Sequence, residues 1–349
     1  MDKESSKAIK IAVDVMGGDF APNSEVLGAL MALEAVKNDP AKTPITITLI
    51  GDKQKIEAIL AENHSFERDK ISIVDASEVI TMHDDPVVAL KTKRNSSMIK
   101  GIELHKEKVV DGFISAGNTG AMLTTATMIL GRIDGVTRPT IGAFLPTAKN
   151  KPVFLIDIGA TVDCNSRFLF EYAVIGSIFS KAILGVTNPS VGLLNVGSED
   201  SKGRAEHIDT NKNLTASSLN FIGNIEGNDI LLGKSDVVVT DGFTGNVLLK
   251  FAEGFLSLMR ISVKQYSEKN EYTKKNAEII SPVLKDILGG FNYEEYGGTP
   301  LLGVKGTVII GHGSSTPKAI MNMIFSAVSA IEKGVCSKIE SAFKEQKQQ

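Results

Sequence analysis

Short runs of β-branched and aliphatic residues alternate along this chain with stretches whose apolar positions recur every three to four residues. That alternation predicts βαβ units, hence an α/β fold of three layers, α/β/α, around a mostly parallel sheet. Residues 9–13 read as the first strand. The Gly17-Gly18 turn follows, then a one-sided helix carrying Val26, Leu27, Leu30 and Met31 and capped by Asn23 or Ser24. Further strands are predicted at 45–50, 71–74, 113–115, 153–158, 191–195, 237–240 and 308–310.

A different pattern covers residues 248–291. Leu248, Phe251, Ala252, Phe255, Leu256 and Met259 share one helical face, and Ile280, Val283, Leu284, Ile287, Leu288 and Phe291 share another. Two amphipathic helices are predicted, projecting as a hairpin with a polar tip at 265–276 and apolar stripes facing a core or a dimer partner. No repeat, low-complexity tract or Pro/Ser-rich linker marks a boundary, so residues 1–349 read as one large α/β unit, or as two lobes sharing one sheet.

Charge narrows the function. The 349 residues carry 38 Lys+Arg and 41 Asp+Glu, a formal charge of -3, which argues against nucleic-acid binding but leaves room for a local anion site. Cys164 and Cys336 show no CxxC or Cys/His spacing, so neither a disulfide framework nor a structural zinc is expected, and a reducing cytoplasm fits. The polar start of the chain lacks a secretory pattern and no run of about 18–20 apolar residues occurs, so any membrane contact is expected to be peripheral.

The candidate chemistry lies where strands end. Asp14 to Asp19 around Gly17 and Gly18, Gly117-Asn118-Thr119-Gly120, Asp157-Ile158-Gly159-Ala160, Asn195-Val196-Gly197, Asp241 to Asn246 and Gly311 to Ser315 are all rich in glycine and small polar residues. In an open parallel sheet such loops share one crevice, and glycine lets backbone N–H groups approach an anion. Turn chemistry alone would also select these residues at any single loop. Asp14 and Asp19 can orient a ligand, a cation or the loop itself. Asp157, Asp163 and Asn165 surround a turn and can position a base or anchor Lys and Arg. Lys91, Lys93 and Arg94 precede Ser96 and Ser97, a combination suited to phosphate. Asn118 or Thr119 caps a helix over 121–130. Lys250 lies one turn beyond the Asp241 loop, and His312 sits between glycines ahead of Ser314 and Ser315, placed for acid/base or donor work. Cys164 has no base beside it and reads as packed. His64, His105 and His207 read as surface residues. GxGxxG, GxxxxGK[ST] and HExxH are all missing, so no nucleotide cofactor and no metal are expected.

Eight segments in order resemble the PlsX family of bacterial phosphate acyltransferases: AVDVMGGDFAP from Ala12, KTKRNSSM from Lys91, SAGNTGAM from Ser115, DIGATVDCN from Asp157, LLNVGSEDSKG from Leu193, DGFTGNVLLKFAEG from Asp241, YGGTPLLG from Tyr296 and GHGSS from Gly311. The resemblance implies attack of inorganic phosphate on the thioester of a fatty acyl carrier protein, in a homodimer with a fold akin to phosphotransacetylases and isopropylmalate-type dehydrogenases. On that basis Lys91, Lys93, Ser96 and Ser97, with the Asn118-Thr119-Gly120 loop, are expected to hold phosphate. His312, Ser314 and Asn246 would stabilise the oxyanion or protonate the departing sulfur, and Asp14, Asp157 and Asp241 would orient them. Gly17, Gly18, Asn165 and Ser315 complete the expected binding set. In family members the hairpin tip is apolar and touches membrane; here it is polar, leaving at most a weak contact of Lys269, Lys274 and Lys275 with anionic lipid. A CoA-dependent phosphotransacetylase and a non-catalytic scaffold for lipid synthesis are the alternatives.

Overall fold

The computed structural model describes residues 8–63, 66–288 and 297–346. The strands are β1 (Ile9–Asp14), β2 (Ile45–Gly51), β3 (Ile71–Asp75), β4 (Gly112–Ser115), β5 (Thr140–Leu145), β6 (Val153–Ile156), β7 (Ser190–Leu194), β8 (Asn220–Ile225), β9 (Val237–Val239), β10 (Thr299–Leu302) and β11 (Thr307–Ile310). Helices α1 (Asn23–Lys37), α2 (Lys53–Glu62), α3 (Pro86–Thr92), α4 (Ser97–Lys106), α5 (Thr119–Ile129), α6 (Ser166–Leu184), α7 (Ala205–Thr215) and α8 (Gly227–Leu231) interleave with them. α9 (Gly242–Ser267), α10 (Glu271–Leu288), α11 (Pro317–Glu332) and α12 (Val335–Gln346) complete the described set.

The chain divides into two compact units, one of Met1–Gly142, Ser177–Asn188 and Glu294–Gln349, the other of Ala143–Gly176 and Pro189–Tyr293. In the first unit the strand order is β3-β2-β1-β4-β11-β10-β5. β3, β2, β1, β4 and β11 are parallel, whereas β10 runs antiparallel to both β11 and β5. Alternation along the strands sorts the side chains into two faces. Ile11, Val13, Ile114 and Ile309 join Val26 of α1 and Ile324 of α11 in one core. Phe113, one residue out of phase, lies against Gly101 of α4, so helices cover the sheet on both faces. α1 and α11 meet at Gly28, where a Cβ would lie 2.5 Å from Ile320 Cβ.

The second unit orders its strands β6-β9-β7-β8, all parallel. β6 (VFLI) and β9 (VVV) are buried throughout, as expected of inner strands covered on two faces. α9 and α10 pack as an antiparallel pair joined by a turn at residues 268–270, inside the polar tip read from the sequence. The end of the predicted hairpin, 289–291, lies outside the described residues. Phe251, Phe255, Leu258 and Ile261 of α9, and Ile279 and Val283 of α10, stay exposed, whereas Leu256 and Ala277 are buried.

Several expectations are revised. β5, β8 and β10 are strands the apolar pattern did not indicate. α1 begins at Asn23 after Pro22, which supplies no side-chain cap, so neither Asn23 nor Ser24 is the cap. His207 is buried on α7 rather than at the surface, and His105 is half-buried, its Nδ1 against the Val110 carbonyl. His64 lies outside the described residues. Among the described residues no single helix is long and apolar enough to cross a membrane.

Candidate functional site

β1, β4 and β11 are parallel neighbours, so their carboxyl-end loops emerge along one edge of the first unit. Those loops are Asp14–Asp19, Ser115–Gly120 and Gly311–Ser315, and hydrogen bonds interlock them. Ser115 Oγ donates to Asp14 Oδ2 at 2.7 Å, and the Met16 N–H donates to Asp14 Oδ1 at 3.0 Å. The Gly117 N–H donates to Ser115 Oγ at 3.0 Å. The Asp19 N–H reaches the Gly313 carbonyl at 2.7 Å, and the Gly311 N–H reaches that of Ser115 at 2.8 Å. A Cβ on Gly17 would sit 2.9 Å from Gly117 Cα, so only paired glycines let the first two loops touch. Burial raises the Asp14 pKa, against the opposing pull of hydrogen bonds from Ser97, Ser115 and Met16.

At the third loop, His312 is exposed and Ser315 buried. His312 Nδ1 lies 2.8 Å from Ser314 Oγ and accepts from the Ser314 N–H at 3.3 Å. A nitrogen that accepts from a backbone N–H carries a lone pair, which assigns the proton of the neutral ring to Nε2. Ser315 Oγ and N–H both donate to the His312 carbonyl, at 2.6 and 2.9 Å, fixing the turn that presents the ring.

The expected cation cluster is divided. Lys91 is exposed on α3. Lys93 Nζ is held 2.6 Å from Asp84 Oδ2 and donates to the Val79 carbonyl at 2.8 Å, while Arg94 pairs with Glu103 at 2.7 Å. The Lys93 ammonium, which donates the leading hydrogen bond, lowers the Asp84 pKa to about 2. Ser96 is buried and caps α4 through the Ile99 N–H, and Ser97 is buried with its hydroxyl on Asp14. Lys93 and Ser96 thus fasten a loop and a helix. Asn118 caps α5 through the Ala121 N–H at 3.0 Å, and its amide nitrogen spans the carbonyls of Thr81, Met82 and Asp84 at 3.1, 3.3 and 3.2 Å. Thr119 stands exposed at the first position of α5, and Gly120 packs on Pro86.

The second unit builds its own cluster at the carboxyl ends of β6, β7 and β9. Asp157 is fully buried and accepts from the N–H groups of Gly159, Ala160 and Thr161 at 3.0, 2.7 and 2.9 Å. Burial raises its pKa to about 6, with repulsion from Asp241 acting in the same direction. Asp241 caps α9 through the Thr244 N–H at 2.8 Å, and its Oδ2 lies 3.0 Å from Arg204 Nη2. The Gly242 N–H donates to the Thr161 carbonyl at 2.8 Å, locking the start of α9 onto the Asp157 turn. Asn246 Nδ2 donates to the Ile158 carbonyl at 3.2 Å, and Asn165 caps α6 through the Phe168 N–H at 3.0 Å. Cys164 is half-buried, and burial, the largest cause, pushes its thiol up to about 12, out of the nucleophilic range.

Two participants escaped the sequence reading. Arg204 follows a loop after β7 and carries no motif of its own; only its partner Asp241 marks it. Glu25, in the first turn of α1, is 1% exposed and lies beside Gly18.

The family model described as "Fatty acid synthesis protein" matches residues 9–338. A phosphate acyltransferase of Brevibacillus brevis is 43% identical over 334 residues, covering 96% of this chain and 97% of that protein. One of Acetivibrio thermocellus is 44% identical over 333 residues, covering 95% and 96%. Among solved structures, a phosphotransacetylase from Streptococcus pyogenes superposes with a TM-score of 0.59 at 17% identity, covering 94% of this chain and 95% of that one. A 4-hydroxythreonine-4-phosphate dehydrogenase from Klebsiella pneumoniae gives 0.53 at 13% identity, covering 93% and 100%. These two likenesses establish the α/β fold with its mostly parallel sheet. The chain belongs to the fatty acid synthesis protein family, the PlsX phosphate acyltransferases, and is an enzyme of that type.

Proposed function

We propose that this phosphate acyltransferase moves a long-chain fatty acyl group from acyl carrier protein to inorganic phosphate, releasing acyl-phosphate and the free carrier thiol for phospholipid synthesis. The observation that carries it is the edge of the first unit, where Gly17-Gly18, Asn118-Thr119-Gly120 and His312–Ser315 are bound to one another through Asp14, Ser115 and Gly313. Such a cluster suits an oxyanion held by backbone and hydroxyl donors.

In the reaction a phosphate oxygen attacks the thioester carbonyl carbon, and the carbonyl oxygen becomes an oxyanion. Collapse breaks the C–S bond, and the departing thiolate takes a proton. His312 fits the donor role, since Ser314 occupies Nδ1 and leaves the proton on Nε2. Lys91, exposed in the last turn of α3, and Thr119, exposed at the first position of α5, suit phosphate capture. Asp14, Asp157 and Asp241 shape loops, because their oxygens are committed to backbone and side-chain donors.

The partners follow from the same reading. The exposed apolar residues of α9 and α10 suit a homodimer interface, and the acyl chain needs an apolar groove. Lys269, Lys274 and Lys275 at the polar tip suit a weak contact with anionic lipid at the inner face of the cell membrane. The test is phosphate-dependent thiol release from palmitoyl carrier protein beside palmitoyl-CoA and acetyl-CoA. Release that requires phosphate and favours the carrier is expected. Preference for acetyl-CoA would replace this reading with a phosphotransacetylase.

A further inference from the structure

Glu25 lies at the third position of α1 and reaches back toward the turn that precedes it. Its side chain is 1% exposed, and Oε2 is buried without a hydrogen-bond partner. A Cβ on Gly18 would fall well inside contact distance of Glu25 Oε1 and 3.4 Å from the Gly313 carbonyl oxygen. The carboxyl accepts from the backbone of Gly18 and from its own N–H. The charges acting on it, Asp14 at the end of β1 and Asp19 in the same turn, are both of its own sign. The Gly313 loop turns a carbonyl oxygen toward this place, and α11 packs along α1 with Pro317 and Ile320 at Gly28. An ionised carboxylate here would face like charge in a dry site, whereas a neutral acid has an O–H for its unpartnered oxygen to donate.

We propose that Glu25 is a positioning residue: as a neutral carboxylic acid it holds the Gly17-Gly18 turn against the Gly313 loop, and its ionisation loosens that turn and weakens phosphate binding. The inference rests on the assignment of phosphate to these loops. Burial, with Asp14 and Asp19 adding to it, raises the Glu25 pKa from 4.5 to about 7, which puts the change within a workable range. Asp19 ties this turn to the Gly313 loop through its N–H, so the movement carries to the segment that bears His312.

The experiment compares Glu25→Gln with the unmodified enzyme from pH 6 to pH 9, because the amide mimics the neutral acid and the titration of phosphate itself cancels in the ratio. The ratio of unmodified to variant phosphate KM is expected to be near one at pH 6. It should rise about tenfold by pH 8, one pH unit above ionisation, with kcat moving much less. In phosphate-free protein, amide exchange of residues 16–19 should be faster in the unmodified chain than in E25Q at pH 8. A flat ratio together with matching exchange would overturn the inference. Different exchange with no protection by added inorganic phosphate would uphold Glu25 as keeper of the turn and overturn the phosphate assignment. Should E25Q fail to fold, Glu25→Asp withdraws the carboxyl from Gly18 and should raise the phosphate KM already at pH 6; an unchanged KM there would also overturn it.

Discussion

Ser115 donates its hydroxyl to Asp14 across 2.7 Å, and this one bond joins the ends of the adjacent parallel strands β1 and β4. Both residues are 1% exposed. Ser115→Ala removes a donor from a buried carboxylate and an acceptor from the Gly117 N–H. A loss of about 1–3 kcal/mol in urea unfolding is expected, with a fall in kcat/KM, because an unsatisfied buried acceptor carries its full desolvation cost. Unchanged stability would mean that water replaces the hydroxyl.

Lys91 of the predicted phosphate cluster is exposed, whereas Lys93 is bound to Asp84 and Arg94, also exposed, is bound to Glu103. Lys91→Ala is expected to raise the phosphate KM several-fold with little change in thermal stability, since exposed charges contribute little to folding. Lys93→Ala should instead lower stability by releasing the Asp84 loop. Steady-state kinetics and melting curves on both variants separate the roles, and an unchanged phosphate KM in K91A would remove Lys91 from the site.

Two glycines of α9 should respond oppositely to alanine. A Cβ on Gly245 would collide with the Asp157 backbone carbonyl, which cannot move without shifting β6, while one on Gly254 meets nothing within 4 Å. Gly245→Ala should therefore cost about 1–3 kcal/mol or more. Gly254→Ala should gain up to about 1 kcal/mol from helix propensity. Differential scanning calorimetry of the pair checks the sign of each.

Asp157 gives stability a pH dependence of known sign. Its folded pKa, raised to about 6 from 3.8, means that the native state binds more protons than the unfolded state between those values. Its contribution is then fully present below about pH 4 and is lost as pH rises through about 6. Asp157→Asn should flatten that part of the stability profile, measured by urea unfolding between pH 4 and pH 7. A slope identical to that of the unmodified chain would show that Asp157 ionises in the folded protein as freely as in the unfolded one.

Much of this arrangement can be read from the chain because a parallel sheet writes strands and loops in a repeating order. The strands at 9–13, 45–50 and 308–310 were plain because they are rich in β-branched and aliphatic residues and are followed directly by glycine or aspartate. β5 and β10 were not, since prolines lie beside or within them, at Pro139, Pro146 and Pro300, and proline ordinarily argues against an inner strand. β8 contains Gly223 and two asparagines and pairs on one side only, with β7. Asn118 was legible as a cap because capping is local. Lys93 was misleading as a free cation because its partner Asp84 comes from the neighbouring turn. Glu25 was invisible for a related reason: its carboxyl is buried beside the Gly18 turn, a contact that the helical pattern of α1 does not show.

The most direct measurement follows the acyl group itself. The enzyme is incubated with palmitoyl carrier protein and inorganic phosphate, and the products are read by phosphorus NMR and by trapping with hydroxylamine. A new acyl-phosphate resonance, converted by hydroxylamine to palmitoyl hydroxamate in step with thiol release, is the expected result. Thiol release accompanied by free palmitate, with the phosphate signal unchanged, would contradict transfer to phosphate and leave hydrolysis in its place.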